Sequence, residues 1–248
     1  LRRLHDPGGD ADPENGGQWM MKMRVQYAKE GKLRFLSHLD VQRTLVRAFR
    51  RSGLPVAYTQ GFSPHPKISF GTALATGVSS EGEFFDLELT EPVEPEVFVS
   101  TLNNVLPEGL RVAAAREAVE RRESLMALLN AAKYRLTLEL GTACPQALRA
   151  AAAAFLEREA VMIYREGKKG RVPVDIRTKV YELTVEADSR LLATVQNSPE
   201  GSLKPAELLE GLKLLAPELE TATLREVHRL ACGRWDPETG RLQLPWEL

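Results

Sequence analysis

The sequence predicts an α+β fold made of two tandem ferredoxin-like domains (βαββαβ) joined by a helical linker. Extended and helical segments follow that order before residue 118, and the order partly returns after residue 132. The chain has 248 residues, which suits two domains of about a hundred residues each. The second half has one strand more than the ideal unit, and no residue-level repeat relates the halves.

The clearest element of the first half is a helix that begins after Ser37. Ser37 and Asp40 have capping-box spacing, and Gly53 and Pro55 end the helix. A proline-rich loop at residues 60–67 (the proline loop) follows between two extended segments. The other elements predicted here are strands at 23–29, 83–89 and 110–115 and a helix at 95–106.

The second half alternates helices and strands less regularly. Its helix at residues 205–215 has Pro205 at the favoured first position. The other predicted elements are a helix at 145–157 and strands at 134–140, 161–164, 172–176, 180–185, 191–195 and 223–230. The predicted division is 1–22 as a disordered or non-native N-terminal extension, 23–117 as the first ferredoxin-like domain, 118–132 as a connecting helix, 133–232 as the second ferredoxin-like domain and 233–248 as a C-terminal tail. Within this scheme, Met20, Met21 and Met23 are each plausible starts.

Composition predicts a cytoplasmic protein without a membrane partner. No apolar run approaches the roughly 20 residues that span a bilayer, and no segment resembles a signal peptide. Cys144 and Cys232 are far apart and lack metal-ligand spacing, so both are expected to be buried as small apolar residues. We expect no metal and no cofactor in this chain.

Charge is distributed unevenly along the sequence. The net charge is −1, but residues 20–80 hold ten Lys/Arg against two acidic residues, while residues 81–248 hold 21 basic and 28 acidic residues. An asymmetry of this kind indicates an anionic partner, and nucleic acid is the first candidate.

The helix after Ser37 carries a basic stripe. At about 100° per residue, four arginines fall within one sector opposite the apolar side of the helix. We call them the arginine face: Arg43, Arg47, Arg50 and Arg51. No acidic residue after Asp40 lies on this helix, so the stripe is not a set of intrahelical ion pairs. Anion binding and a merely solvated face are both open for these arginines.

The remaining candidate residues lie on or near loops. His38, in the first turn of the helix, could contact a phosphate or act in acid–base chemistry, and it equally suits helix packing. His65 lies between two prolines on a stiff loop, and Phe62 could stack on a base. The other basic candidates for RNA contact are Lys67, Lys168, Lys169 and Arg171. No catalytic residues are predicted, and His228 is expected to be an ordinary sheet residue.

Three motifs carry a resemblance to a known family. They are FLSHLD at residues 35–40, QGFSPHPKISFG at 60–71 and SLMALLNAA at 124–132. Together they resemble the bacterial radical SAM-linked protein family, a family of unknown function fused to, or encoded beside, a radical SAM protein. The similarity runs from about residue 23 to residue 230. VDIR at 174–177 also fits, although Thr178 stands where proline is expected.

The resemblance implies an accessory role beside a radical SAM iron–sulfur protein. Such a cluster needs three closely spaced cysteines, and the two isolated cysteines of this chain do not supply them, so the cluster is expected in the partner. Three functions stay open. The first is a non-catalytic RNA-binding or substrate-recognition module in RNA modification, with structured RNA as the second partner. The second is a metal-independent endoribonuclease with His38 or His65 as general acid–base, and the third is a protein–protein adaptor.

Overall fold

The computed structural model describes residues 20–118, 123–167, 170–187 and 189–248. These residues form an α+β fold with twelve strands and five helices. The helices are α1 (His38–Ser52), α2 (Pro95–Asn103), α3 (Leu125–Leu128), α4 (Pro145–Glu157) and α5 (Pro205–Leu215). The strands are β1 (Met21–Lys29), β2 (Ile68–Phe70), β3 (Ser79–Leu89), β4 (Leu110–Glu117), β5 (Ala131–Glu139), β6 (Met162–Gly167), β7 (Gly170–Asp175), β8 (Val180–Ala187), β9 (Arg190–Ser198), β10 (Gly201–Ser202), β11 (Thr223–Asp236) and β12 (Arg241–Gln243).

One large sheet runs through both halves of the chain. Among the described residues it has ten strands, and β6 and β7 form a separate hairpin. The first half contributes the order β4-β1-β3-β2, and the second contributes β11-β5-β9-β8. In each half the first of these strands along the chain lies between the third and the fourth. All described pairings are antiparallel except β3 with β11.

The β3–β11 pairing joins the two halves. In this parallel pair His228 lies opposite Ser79 and Arg229 opposite Ser80. Gly82 lies against the backbone of Leu230, where a Cβ atom would collide with the carbonyl oxygen. Glycine at this position therefore allows the strands of the two halves to approach closely.

Each half packs its helices on one side of the sheet around its own apolar core. In the first half, α1 contributes Leu45 and Phe49 and α2 contributes Phe98 against Val25 and Leu87 of the sheet. In the second half, the buried side chains of α4 and α5 pack on those of β5 in the same way. The alternate residues of β5 leave Arg135 and Thr137 on the opposite face of the sheet.

Most predicted helices agree with the structure, and the exceptions have local causes. The helices predicted at 145–157 and 205–215 are confirmed as α4 and α5. The helix predicted at 95–106 ends earlier, at Asn103, and its last turn tightens, since the Val105 amide donates to the Leu102 carbonyl three residues back, at 3.1 Å. The Asn103 side chain exchanges two hydrogen bonds with the backbone of Val112, at 2.9 and 2.8 Å.

The connecting helix at 118–132 is much shorter than predicted. Of the described residues in this segment, only Leu125–Leu128 form a helix. Residues 119–122 lie outside the described residues. The Asn130 amide donates to Gly233 at 3.0 Å, and the Asn130 carbonyl accepts from Asn197 at 2.8 Å. These bonds draw the chain into the sheet, so β5 begins at Ala131 instead of a helix continuing.

The two predicted terminal segments contain sheet residues. β1 begins at Met21, inside the predicted extension, while residues 1–19 lie outside the described residues. In the predicted tail, β11 continues to Asp236 and pairs with β12. Trp246 then packs edge-on against Phe84, with ring centroids 4.9 Å apart. Among the described residues, no helix has the length and apolar character needed to cross a bilayer.

Candidate nucleic-acid interface

Local sequence signals fix the position of α1. Ser37 Oγ accepts from the Asp40 amide at 3.2 Å, and the Ser37 amide donates to the Asp40 carboxylate at 3.3 Å, so the predicted capping box is confirmed. The hydrogen bond from the Ser37 side chain lowers the pKa of the Asp40 carboxyl. Gly53 ends the helix with φ of 72°, in the left-handed region that glycine adopts readily.

The arginine face is exposed along its whole length. Arg43 lies 3.5 Å from Asp40, and the Arg51 guanidinium donates to the Val105 carbonyl at 2.6 Å. Arg47 and Arg50 make no ion pair or hydrogen bond with any part of the chain that the structure describes. These two guanidiniums therefore present their full donor sets to solvent.

Two phenylalanines are exposed near this helix in the sequence. Phe62, in the proline loop, is completely exposed, and Phe35, three residues before α1, is 60% exposed. Backbone hydrogen bonds close the base of this loop. The Thr59 amide donates to the His65 carbonyl at 2.8 Å, and Tyr58 forms an isolated antiparallel β-bridge with Pro66. Surfaces that bind RNA loops commonly combine exposed aromatic rings, which stack on bases, with unpaired arginines, which contact phosphates.

His38 is partly buried, unlike the exposed arginines and phenylalanines described above. Its ring meets the edge of Phe70, with centroids 5.1 Å apart, and its Nε2 lies 2.8 Å from the Gln42 side-chain amide. Burial lowers the pKa of His38, with a smaller opposing effect of Glu83. These contacts favour the packing role that the sequence left open for His38.

The other predicted basic residues differ in their surroundings. His65 is exposed on the proline loop, whereas Lys67 is paired with Glu88 at 3.1 Å. Arg171 lies on the β6–β7 hairpin of the second half, 3.2 Å from Glu166. Lys168 and Lys169 lie outside the described residues.

The charge excess of residues 20–80 is only partly a surface property. Arg24 is buried and makes two hydrogen bonds to Asp86, at 2.8 and 2.9 Å. Lys29 is also buried, and its ammonium group donates to the carbonyls of Arg34 and Leu36, each at 3.2 Å. Burial lowers the pKa of Lys29. Sequence counting therefore overstates the positive charge that a partner meets.

A polar cavity of about 430 Å³ lies where the two halves meet, on the sheet face opposite the helices of the second half. Its floor consists of two cross-strand rows set by the strand register. The first row is Ser79, His228 and Arg135, and the second is Glu226, Thr137 and Arg190. The wall is the turn at residues 30–34, and Glu81 also lines the cavity.

Hydrogen bonds order the floor. Ser79 Oγ lies 2.8 Å from His228 Nδ1, and His228 Nε2 lies 3.4 Å from the Glu81 carboxylate. Arg135 is held 3.2 Å from the carboxylate of Glu186 on β8. The arrangement combines histidine, hydroxyl, carboxylate and guanidinium groups within one recess.

The wall of the cavity is fixed by the buried Lys29. The carbonyl of Arg34 accepts from Lys29 Nζ at 3.2 Å and from the Gly77 amide at 2.8 Å. The Arg34 guanidinium lies over the Phe35 ring, 4.6 Å from its centroid. Arg34 and Glu226 also line an adjoining cavity of about 420 Å³. We call the two cavities together the junction groove.

Local sequence patterns do not predict the junction groove. They predict His228 only as an ordinary sheet residue, and no motif marks Ser79 or Arg135. Polar residues at alternate positions of β5 and β11 indicate an open polar face. The pairing of β11 with β3 decides which of them meet, and no local pattern encodes that pairing.

Comparison with known families identifies the relatives of this chain. Residues 22–205 match the family described as "Uncharacterized protein conserved in bacteria (DUF2344)". The chain belongs to this family. No curated protein matches the chain. A solved structure, described as the crystal structure of an unknown protein from Galdieria sulphuraria, aligns with 85% of this chain and 99% of that chain at 12% identity and a TM-score of 0.27.

Proposed function

We propose that this DUF2344 chain is a non-catalytic RNA-binding accessory module that acts beside a radical SAM protein. The observation that carries RNA binding is the exposed arginine face, in which Arg47 and Arg50 have no acidic partner among the described residues. Unpaired guanidiniums on a helix surface suit phosphate oxygens, to which arginine donates in bidentate geometry.

The exposed aromatic rings extend this argument from phosphates to bases. A double-stranded partner offers phosphates without free base faces, whereas an RNA loop offers both. Phe62 and Phe35 are exposed in the same half as the arginine face. The preferred ligand is therefore a structured RNA that contains unpaired bases.

The radical SAM partner rests on the motif resemblance. The chain has two free cysteines, Cys144 exposed and Cys232 buried, and burial raises the pKa of the Cys232 thiol to about 11. The exposure of Cys144 corrects the expectation that both thiols are buried.

Co-purification from the native host tests the proposed partnership with a radical SAM protein. A radical SAM protein recovered in stoichiometric amount supports the partnership, and recovery of this chain alone contradicts it.

We also propose that the two halves are βαββαβ units sharing one sheet. The strand orders β4-β1-β3-β2 and β11-β5-β9-β8 support this description, with β6–β7 as an insertion in the second unit. In such units one sheet face stays free of the unit's own helices. In the second half that face carries the floor of the junction groove.

Salt-dependent binding tests the RNA proposal. Each phosphate contact releases condensed counterions, so the affinity of this surface for RNA should fall steeply with salt. Replacing Arg47→Gln and Arg50→Gln together removes two charges and should lower the slope of log affinity against log salt by about one to two units. The measurement is fluorescence anisotropy with a labelled RNA hairpin at several salt concentrations.

The matched control removes two exposed arginines elsewhere. Arg111→Gln and Arg158→Gln change the net charge equally at exposed sites outside α1. If both double variants weaken binding alike, general charge explains the attraction and the arginine face has no special role. An unchanged slope for the α1 variant contradicts the proposal outright.

Incubation with RNA in EDTA separates this function from the endoribonuclease alternative. We expect no cleavage by the isolated chain. Cleavage that disappears in His65→Ala, whose imidazole is exposed, or in His38→Ala would replace our proposal with the nuclease.

A further inference from the structure

The junction groove has dimensions suited to a small ligand or a single nucleotide. Its larger cavity measures about 430 Å³, within the range of roughly 300–1,000 Å³ typical of ligand pockets. The adjoining cavity lengthens the recess along the junction and shares Arg34 with it. The groove is therefore large enough to enclose one residue of a polymer while its neighbours lie outside.

The charges of the groove leave no excess of positive charge for a phosphate, because the two floor arginines, Arg135 and Arg190, both lie beside the Glu186 carboxylate, at 3.2 and 4.0 Å. Three carboxylates line the larger cavity, those of Glu30, Glu81 and Glu226, beside three guanidiniums. Carboxylates repel a phosphodiester but accept hydrogen bonds from the amino and imino groups of a base. Guanidiniums donate to the carbonyl oxygens and ring nitrogens of the same base edges. A mixed lining of this kind matches an uncharged base edge.

The wall provides a route from the exposed surface into the groove. Phe35 is exposed, and the Arg34 guanidinium lies over its ring, 4.6 Å from the centroid, while Arg34 also lines both cavities. Aromatic rings and guanidinium planes both stack on unpaired bases. Lys29 and Gly77 hold the Arg34 carbonyl, so this surface is fixed before any ligand arrives.

We propose that the junction groove binds one unpaired nucleotide of the RNA, with its base edge directed to the floor. This inference rests on the proposed RNA-binding function and specifies its substrate as an RNA with an unstacked base. The arginine face contacts the phosphates, and the groove supplies the preference for unpaired over paired RNA. Glu226 and Arg190, at the two ends of one floor row, are the groups that discriminate between bases.

The test compares two RNAs and two matched tyrosine substitutions. The RNAs are a hairpin with a single-stranded loop and a duplex with the same number of phosphates. Thr137→Tyr fills the floor of the groove, whereas Thr184→Tyr places the same side chain at an exposed site on β8, outside the groove. We expect Thr137→Tyr to weaken hairpin binding about tenfold and to leave duplex binding unchanged. Thr184→Tyr should change neither.

The outcomes separate this inference from the proposed function. If the Arg47→Gln and Arg50→Gln double variant weakens both RNAs while Thr137→Tyr weakens neither, the groove inference is wrong and the RNA-binding function stands. If the double variant weakens neither RNA, the proposed function is wrong. Should Thr137→Tyr not fold, Glu226→Gln, at an exposed carboxylate, replaces it, and unchanged hairpin affinity in that variant overturns the inference.

Discussion

Arginine occurs in two opposite environments in this chain, on the surface of α1 and inside the junction between the halves. Arg47 and Arg50 are exposed and have no acidic partner among the described residues. Arg229 is buried and contacts both oxygens of Glu83 at 3.2 Å, with both side chains 3% exposed. Exposed unpaired charge is available to a ligand, whereas buried paired charge is committed to the fold.

The buried arginine connects elements from both halves. Its guanidinium also donates to the Tyr134 hydroxyl at 3.1 Å and to the Ala73 carbonyl at 3.1 Å. The Ser80 hydroxyl oxygen on β3 lies 2.7 Å from the Glu83 carboxylate and 3.0 Å from the Arg229 carbonyl oxygen, so its one proton can be donated to either. These contacts join β3, β5 and β11, and they hold the sheet region that forms the junction groove on its other face. Sequence spacing gives no indication that these residues meet.

The largest expected effect comes from breaking the buried pair. Glu83→Gln removes the charge that compensates Arg229, and the free energy of unfolding should fall by about 3–5 kcal/mol. Glu88→Gln is the control, because its partner Lys67 and Glu88 are each partly exposed, and its loss should stay below about 1 kcal/mol. Chemical denaturation measures both variants. Equal losses would mean that burial does not distinguish the two pairs.

A smaller effect is expected at the exposed aromatic ring of the proline loop. Phe62→Ala should weaken binding of hairpin RNA by about 1–3 kcal/mol through the lost base stacking. Because Phe62 is fully exposed, the free energy of unfolding should change by no more than about 0.5 kcal/mol. Val97→Ala, at an exposed apolar site on α2, controls for loss of surface area. Unchanged RNA affinity in Phe62→Ala would exclude stacking at this ring.

The smallest expected effect concerns His38, which is half-buried. Burial lowers the pKa of His38 from the ordinary value of 6.5, so the unfolded chain binds more protons than the folded chain at mildly acidic pH. The free energy of unfolding should therefore fall as the pH drops through 6.5 towards the lowered pKa. His38→Gln should show less of this pH dependence than the parent, whereas His65→Gln, at an exposed site, should retain it. Urea denaturation at pH 5 to 8 measures the difference, and identical pH profiles for His38→Gln and the parent would contradict it.

Short-range signals in the sequence are enough to specify several local elements and the arginine face of α1. The capping residues Ser37 and Asp40, the prolines that open α4 and α5, and the helical spacing of the arginines act over a few residues. Each of these signals depends only on residues that are close in the sequence, so the elements can be predicted before the fold is known.

Which of these elements meet depends on contacts between residues that are far apart in the sequence. The shortening of the predicted connecting helix follows from hydrogen bonds between Asn130 and residues about 65 and 100 positions away. The meeting of Ser79 with His228, and of Glu83 with Arg229, follows from the pairing of β3 with β11. Long-range strand pairing depends on the packing of the whole sheet, so neither the buried pair nor the junction groove is visible in local periodicity.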